Sequence, residues 1–408
     1  MKSNKIFLTM ALLISSVYAS EFEYKFNYFG NVMASKLDNS NYTQNHYFED
    51  NIDNTVRISP HTRLGAQATI YDDNLLFMVQ AVTSKNHDKY ELYVPWLNAK
   101  YNITDDFAIT AGRIQTPFFL NSETRHIDYL QLWTKPPEEL YRIMSVRSYD
   151  GVRLSYDTEI FDDYALNVEA IPYGKRELTI NTSKDKDLDG SMEDLHTLVA
   201  SISSENTIFK ATYTNTVIFT EKDATQLNTA LAILKADGND VSKYIITDID
   251  TKMITLALKY DDEKIVAQVE LARIDNESLY PSRTTGYVLF GYKFNRFTTY
   301  VIYSEEKDDK EHFDTSKIVT SNLVSAAVKI ELDKLLYKTN TSQVTKSVGL
   351  NYTVDTGIVL KGQIDKTALS FYGDNHGDIS NSTGTLAKDA GASLEDVYTY
   401  TISLSFAF

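Results

Sequence analysis

From Phe22 to the last residue the chain runs in short segments that alternate apolar and polar side chains, and most segments come in pairs joined by very short polar turns. Alternation with a period of two puts one set of side chains on each face of a strand. The pairs are Val56–Tyr71 with Leu75–Ser84, Glu91–Ile103 with Phe107–Ile114, Gly151–Ile160 with Tyr164–Tyr173, and His196–Ser204 with Ile208–Thr220. Met253–Tyr260 with Ile265–Arg273, Thr285–Phe294 with Phe297–Tyr303, and Lys346–Val354 with Ile358–Asp365 continue the series. With Phe22–Lys36 at one end and Val397–Phe408 at the other, the pattern predicts about sixteen strands. Each is close to the roughly 9–11 residues that a tilted membrane-crossing strand needs. In the last segment Tyr398, Tyr400, Ile402, Leu404, Phe406 and Phe408 share one face, while Thr399, Thr401, Ser403, Ser405 and Ala407 share the other. One face suits lipid and the other a water-filled lumen.

The connections alternate in length as well. Leu37–Thr55, Thr116–Asp150, Gly174–Leu195, Glu221–Ile249, Glu305–Thr345 and Lys366–Asp396 are long and all fall on the side opposite the short turns. Loops of that length count against a compact soluble domain but are ordinary on the outer side of a transmembrane antiparallel β-barrel. Aromatic residues such as Tyr101, Phe107, Tyr156, Phe161, Tyr164, Tyr260, Tyr292, Phe294, Phe297 and Tyr352 gather near the short turns, where an interfacial girdle belongs. Two long loops carry helical spacing, Leu227, Ala230, Leu231 and Leu234 before Gly238, and Val319, Leu323, Ala326 and Ile330. They predict short surface helices rather than a second domain.

Residues 1–19 combine Lys2 and Lys5, an apolar stretch from Ile6 to Ile14 and a small-x-Ala pattern at Val17-Tyr18-Ala19, the form of a secretory signal peptide. Residues 20–408 are then the barrel. No run reaches the roughly 18 apolar residues of a spanning helix. The 408-residue chain has no cysteine, so it has neither disulfides nor thiolate metal sites. Its formal charge is -16, and losing Lys2 and Lys5 makes the exported chain more acidic still, which argues against a nucleic-acid partner.

The stretch Ala111-Gly112-Arg113-Ile114-Gln115-Thr116-Pro117-Phe118-Phe119, followed by Lys135-Pro136-Pro137-Glu138-Glu139-Leu140-Tyr141 and Ser148-Tyr149-Asp150-Gly151-Val152, resembles the porin-like proteins of the Gram-negative outer membrane. The terminal Phe408 belongs to the same resemblance, in which it forms part of the signal read by the outer-membrane assembly machinery. The resemblance further implies a homotrimer and a long third loop, Thr116–Asp150, folded toward the lumen. One departure is the short second external loop, Lys85–Tyr90, which general porins use to latch subunits.

Gly-x-Ser-x-Gly, His-Glu-x-x-His and Gly-x-Gly-x-x-Gly are all absent, so the chain offers no enzymatic motif. What remains is electrostatic. A charge on the lipid face costs roughly 2–4 kcal/mol at mid-membrane, so charged positions opposite the apolar faces should line the channel. By this parity Arg57, Arg63, Arg153, Lys210, Lys259, Lys264, Lys293 and Lys361 face inward against Glu169, Glu270 and Asp365, and Arg113 is grouped with the channel-lining cations. In the third loop Glu123, Asp128, Glu138 and Glu139 accompany Arg125, Lys135, Arg142 and Arg147. These charges either set a transverse field at a constriction or pair off and pin the loop, and the two roles are compatible. A basic wall predicts mild anion selectivity for a channel that passes small hydrophilic solutes and ions by passive diffusion. The alternatives are a porin specific for an anionic nutrient and a non-conducting barrel acting as adhesin or receptor. Finally, Asp185, Asp187, Asp189 and Glu193 surround Gly190 in an Asp-x-Asp-x-Asp-Gly run that suits a calcium loop, although His196 stands where the last carboxylate belongs. The other reading is a plain acidic loop tip, and no other cofactor is expected.

Overall fold

The structure is a computed structural model and describes residues 22–44, 52–86, 89–144, 146–161, 163–183, 186–220, 225–245, 248–276, 278–339, 341–370, 386–388 and 393–408. The signal peptide expected at residues 1–19 lies outside them. Sixteen long strands form the wall: β1 (Glu23–Leu37), β2 (Arg63–Tyr71), β3 (Leu75–Asn86), β4 (Lys89–Asn102), β5 (Phe107–Gln115), β6 (Ser148–Glu159), β7 (Ala165–Ser183) and β8 (Lys186–Ser203). They continue as β9 (Thr207–Thr220), β10 (Asp248–Asp261), β11 (Ile265–Asn276), β12 (Arg283–Phe294), β13 (Phe297–Asp308), β14 (Gln343–Asp355), β15 (Ile358–Leu369) and β16 (Val397–Ala407). Every strand pairs antiparallel with its sequence neighbours. The seam closes on β1, whose first half pairs with β2 from Glu23↔Tyr71 to Asn31↔Arg63 and whose second half pairs with β16 from Phe29↔Ala407 to Leu37↔Thr399. Closure leaves no unpaired edge, which is the condition for a sheet to cross a membrane.

The two faces differ as the alternation predicts. Leu256, Leu258, Leu271, Val288, Phe290, Val301, Val348, Leu350, Leu360, Ile402 and Leu404 point out of the barrel and are exposed, while their neighbours in sequence point inward and are buried. An unbroken apolar belt of this kind needs lipid against it. At the short-turn end Tyr292, Phe294, Phe297 and Tyr352 form a chain of ring contacts on the outer surface. Among the described residues no helix is long and apolar enough to cross a membrane.

Three expectations need correction. The expected strand Val56–Tyr71 divides into a short strand, Arg57–Ile58, and β2, because Pro60 lacks the N–H a continuous ladder requires. The expected loop Gly174–Leu195 is not a loop: β7 and β8 continue through it as a ladder in which Leu188 stands opposite Ile180 and Asp189 opposite Thr179. Gly190 sits in that ladder between Leu178 and Thr220, with no turn of the kind a calcium loop requires. Asp185 and the side chains of Asp187 and Asp189 fall outside the described residues, and Ser191 Oγ donates to Glu193 Oε1 at 3.1 Å. Lastly, Arg113 does not line the channel. It stands opposite Leu97 and Asp150 in the ladders, one position before the inward, fully buried Ile114, so it faces outward and forms a bidentate pair with Asp150 at 2.8 and 3.1 Å.

The long loops build a partial cover. Helices α2 (Thr225–Ala236) and α3 (Leu323–Thr339), which follow the short α1 (Glu138–Tyr141), lie where helical spacing placed them. Leu231 and Leu234 of α2 pack with Leu332 and Leu336 of α3 in a small apolar cluster. Asn322 caps α3 by accepting the N–H groups of Val324 and Ser325. Tyr42–Gln44 and Leu386–Lys388 pair as a separate two-stranded sheet over Leu37, Ile52 and Val397.

Candidate functional site

The connection between β5 and β6 enters the barrel. Its ends are clasped where the Thr116 N–H donates to Arg147 O at 3.1 Å, and Thr116 Oγ1 donates to Val146 O. Between them Phe118, Phe119, Trp133, Leu140, Tyr141 and Met144 pack against Met253, Tyr287, Leu289, Tyr300 and Ile302 of the wall. The Trp133 and Tyr287 rings meet edge to face at 5.7 Å. Here part of the inner face is apolar as well as the outer one, and the loop covers that inner part.

Polar contacts fix the loop along the same wall. Thr255 Oγ1 donates to Phe118 O, Lys210 Nζ to Phe119 O, Thr285 Oγ1 to Glu139 O and Asn351 Nδ2 to Leu132 O. Glu270 accepts the Leu120 N–H at 2.7 Å and the Tyr141 hydroxyl at 3.1 Å. The buried Glu139 carboxylate accepts from Ser304, Gln343 and Thr345. Lys361, 1 % exposed, spends its three N–H groups on the carbonyls of Asp128, Gln131 and Trp133 at 2.5, 2.5 and 3.2 Å. A buried ammonium is tolerable only when its donors are all used, and here they are.

The inward cations of the wall are therefore occupied. Arg63 pairs with Asp128 at 3.0 Å, and its Nη1 lies 3.2 Å from His126 Nδ1. Arg153 pairs with Glu123 and Glu169 at 2.7 and 3.5 Å and lies over the Trp96 ring. Lys259 and Lys293 both pair with Asp261 at the short-turn end. Lys264 lies in the exposed turn before β11, away from the lumen. Arg57 sits at the outer mouth on Asp53, whose carboxyl the Arg57 hydrogen bonds hold down to about 2. Most cations of the wall that looks basic in the sequence are thus paired with acids in the fold, while Lys210 and Lys361 are bound to loop carbonyls.

In the loop, Arg142 pairs with Glu306 at 2.5 Å, and Glu138 has Lys135, His61 and the Gln44 amide around it. Arg125 and Arg147 differ from the rest. Neither makes an ion pair among the described residues, and Arg147 is exposed inside the barrel. Together with His61, Arg63, Lys85, His126, Glu138 and Arg142 they line a cavity of about 290 Å³ between the loop and strands β2 and β3. Sequence reading found Arg125 and Arg147, and counted Glu139 among the charges that could pin the loop, but missed Lys85 and His126 as neighbours. A lone histidine carries no signal of its surroundings. Among the described residues there is no cluster of three or more potential metal ligands.

No family model matches the sequence, and no curated protein does. Solved structures do. The outer membrane channel DcaP of Acinetobacter baumannii is similar over 96 % of this chain and 98 % of its own, at 12 % identity and a TM-score of 0.55. OmpT, an outer membrane protein of Vibrio cholerae, is similar over 96 % and 99 %, at 12 % identity and a TM-score of 0.51. An anion-selective porin from Comamonas acidovorans is similar over 95 % and 100 %, at 9 % identity and a TM-score of 0.50. Likeness at such low identity concerns the fold, and the fold is that of the Gram-negative porins.

Proposed function

We propose that this chain is a porin of a Gram-negative outer membrane, a passive and non-enzymatic channel for small hydrophilic solutes and ions with a mild preference for anions. The observation that carries this reading is the cavity left beside the third loop. The loop is pinned to strands β9 to β15, and to β2 through Asp128 on Arg63, yet between it and strands β2 and β3 a cavity remains where Arg125 and Arg147 lack counter-charges. A loop held this way narrows a lumen while keeping one side hydrated, and uncompensated cations there enrich anions within about a Debye length, roughly 8–10 Å. The test is a planar-bilayer recording in a salt gradient. Steady conductance with an anion-signed reversal potential is the expected result, whereas a barrel without conductance would remove the reading.

The same reading includes a homotrimer, and one Vibrio cholerae OmpT structure is described as a trimer form. Outward-facing alanines on neighbouring strands, Ala66 opposite Ala81 and Ala99 opposite Ala111, support it by offering a flat surface for close barrel contact. Replacing Ala99 by Trp should shift the protein from trimer to monomer on native gels, and an unchanged trimer would place the interface elsewhere.

A further inference from the structure

The loop cavity holds more positive charge than its own acids balance. Arg63 is matched by Asp128, Arg142 by Glu306, and Lys135 by Glu138 and Asp365. Arg125 and Arg147 are left over, close enough that Arg147 and Arg63 both act on the charge of Arg125. Repulsion among like charges is unfavourable unless something else is gained. His126 is a buried ring beside Arg63, with its Nδ1 3.2 Å from the guanidinium, so it brings no counter-charge to the cavity. Two guanidinium groups without counter-charges on one cavity wall suit an oxyanion.

We propose that this cavity is a saturable binding site for a compact oxyanion of about two negative charges, held by Arg125 and Arg147. The inference rests on the channel reading and names the solute class that the site takes. Guanidinium forks match the paired oxygens of carboxylate and phosphate, and two unmatched cations set the charge at two. A volume of about 290 Å³ is roomy enough for inorganic phosphate or a four-carbon dicarboxylate. The sugar-sized neutral solutes of a general diffusion pore gain nothing from such a site.

The experiment is single-channel recording in potassium chloride with inorganic phosphate, succinate or acetate added to one side. Phosphate or succinate should reduce the chloride current along a saturating curve, and acetate should do so only at much higher concentration. Whichever dianion saturates first identifies the source of the oxygens. Arg125→Gln and Arg147→Gln should each raise the half-blocking concentration about tenfold, as expected for one charge-assisted contact. Arg113→Gln, on the outer face, should leave the curve unchanged. A current that falls linearly with either dianion, or a block untouched by both loop substitutions, overturns the site while leaving the channel intact. Loss of conductance in the unmodified protein would instead remove the channel reading itself.

Discussion

At the scale of single residues, pairing matters more than charge. Arg63 was expected to make the wall basic, but with Asp128 it forms a buried pair whose net charge is zero. Removing both partners should therefore shift the reversal potential less than removing one unpaired cation. The double change Arg63→Ser with Asp128→Ser is predicted to move it less than Arg147→Ser alone, and equal shifts in a salt-gradient recording would show that the pair is not neutral to ions. Arg57 at the mouth behaves in the same way. Its partner Asp53 titrates near 2, below its unfolded value, so the pair persists as pH falls and is lost only through that low range. Lys361 acts through geometry instead. Lys361→Met would leave three loop carbonyls without their donor, a loss of about 2 kcal/mol if other partners replace part of it. The expected outcome is a lower unfolding temperature in detergent together with noisier single-channel current. An unchanged melting curve would show that the apolar contacts hold the loop by themselves. Gly349 belongs here too, because a Cβ at that position would collide with the Tyr300 ring that packs under the loop.

At the scale of elements, the long loops divide into two kinds. The third loop is bound to the wall by both apolar packing and hydrogen bonds, so it is part of the barrel interior. Helices α2 and α3 are bound mainly to each other and to neighbouring external segments, through Leu231, Leu234, Val241, Tyr244, Leu279, Phe313, Leu332 and Leu336. None of the third-loop anchors named above lies on them. Replacing residues 225–236 by a short flexible linker should therefore leave conductance and selectivity within about a factor of two, measured against the intact channel in the same bilayer. A collapse of conductance would mean that the helical cover holds the mouth open. The elements with the clearest alternation, β10 to β16, were legible in the sequence at their short-turn ends, whereas at the outer ends most of them run two to five residues further than the pattern predicts. Where a strand is apolar on both faces, as around Met253, Leu289 and Ile302, alternation alone hid which face met the loop.

For the whole molecule, the β1–β16 ladder closes the barrel, and Phe408 extends it by one pair. The Phe408 N–H donates to Tyr28 O at 2.7 Å and its carbonyl accepts the Tyr28 N–H at 2.8 Å, while its ring stacks beside Phe406 on the outer surface. Deleting Phe408 removes this pair at the seam as well as the proposed assembly signal. Export should continue, and the fraction of folded, heat-modifiable barrel in the outer membrane should fall several-fold. Normal insertion of the truncated chain would show that neither the seam contact nor the signal is needed. Within the wall the interior is asymmetric, with one side filled by loop and aromatic rings and the other left as a cavity between Arg125 and Arg147 of the loop and strands β2 and β3.

The sequence by itself determined the barrel, its strand number, the side on which the long loops emerge and the two external helices. Each of these follows from local periodicity, which a strand or helix expresses whatever it meets later. It also named many of the charged residues of the interior, though not Lys85, Arg283, Glu306 or Asp308. Only the tertiary structure decided which of those charges survive. Asp128 reaches Arg63, Glu306 reaches Arg142 and Lys361 reaches three loop carbonyls across long stretches of chain, and such meetings depend on the path of one loop through a closed barrel. The extended β7–β8 ladder was hidden for a related reason: its acidic tip reads as a loop, and only strands on both sides make it a strand. Charge sequence is local, whereas charge balance is a property of contact.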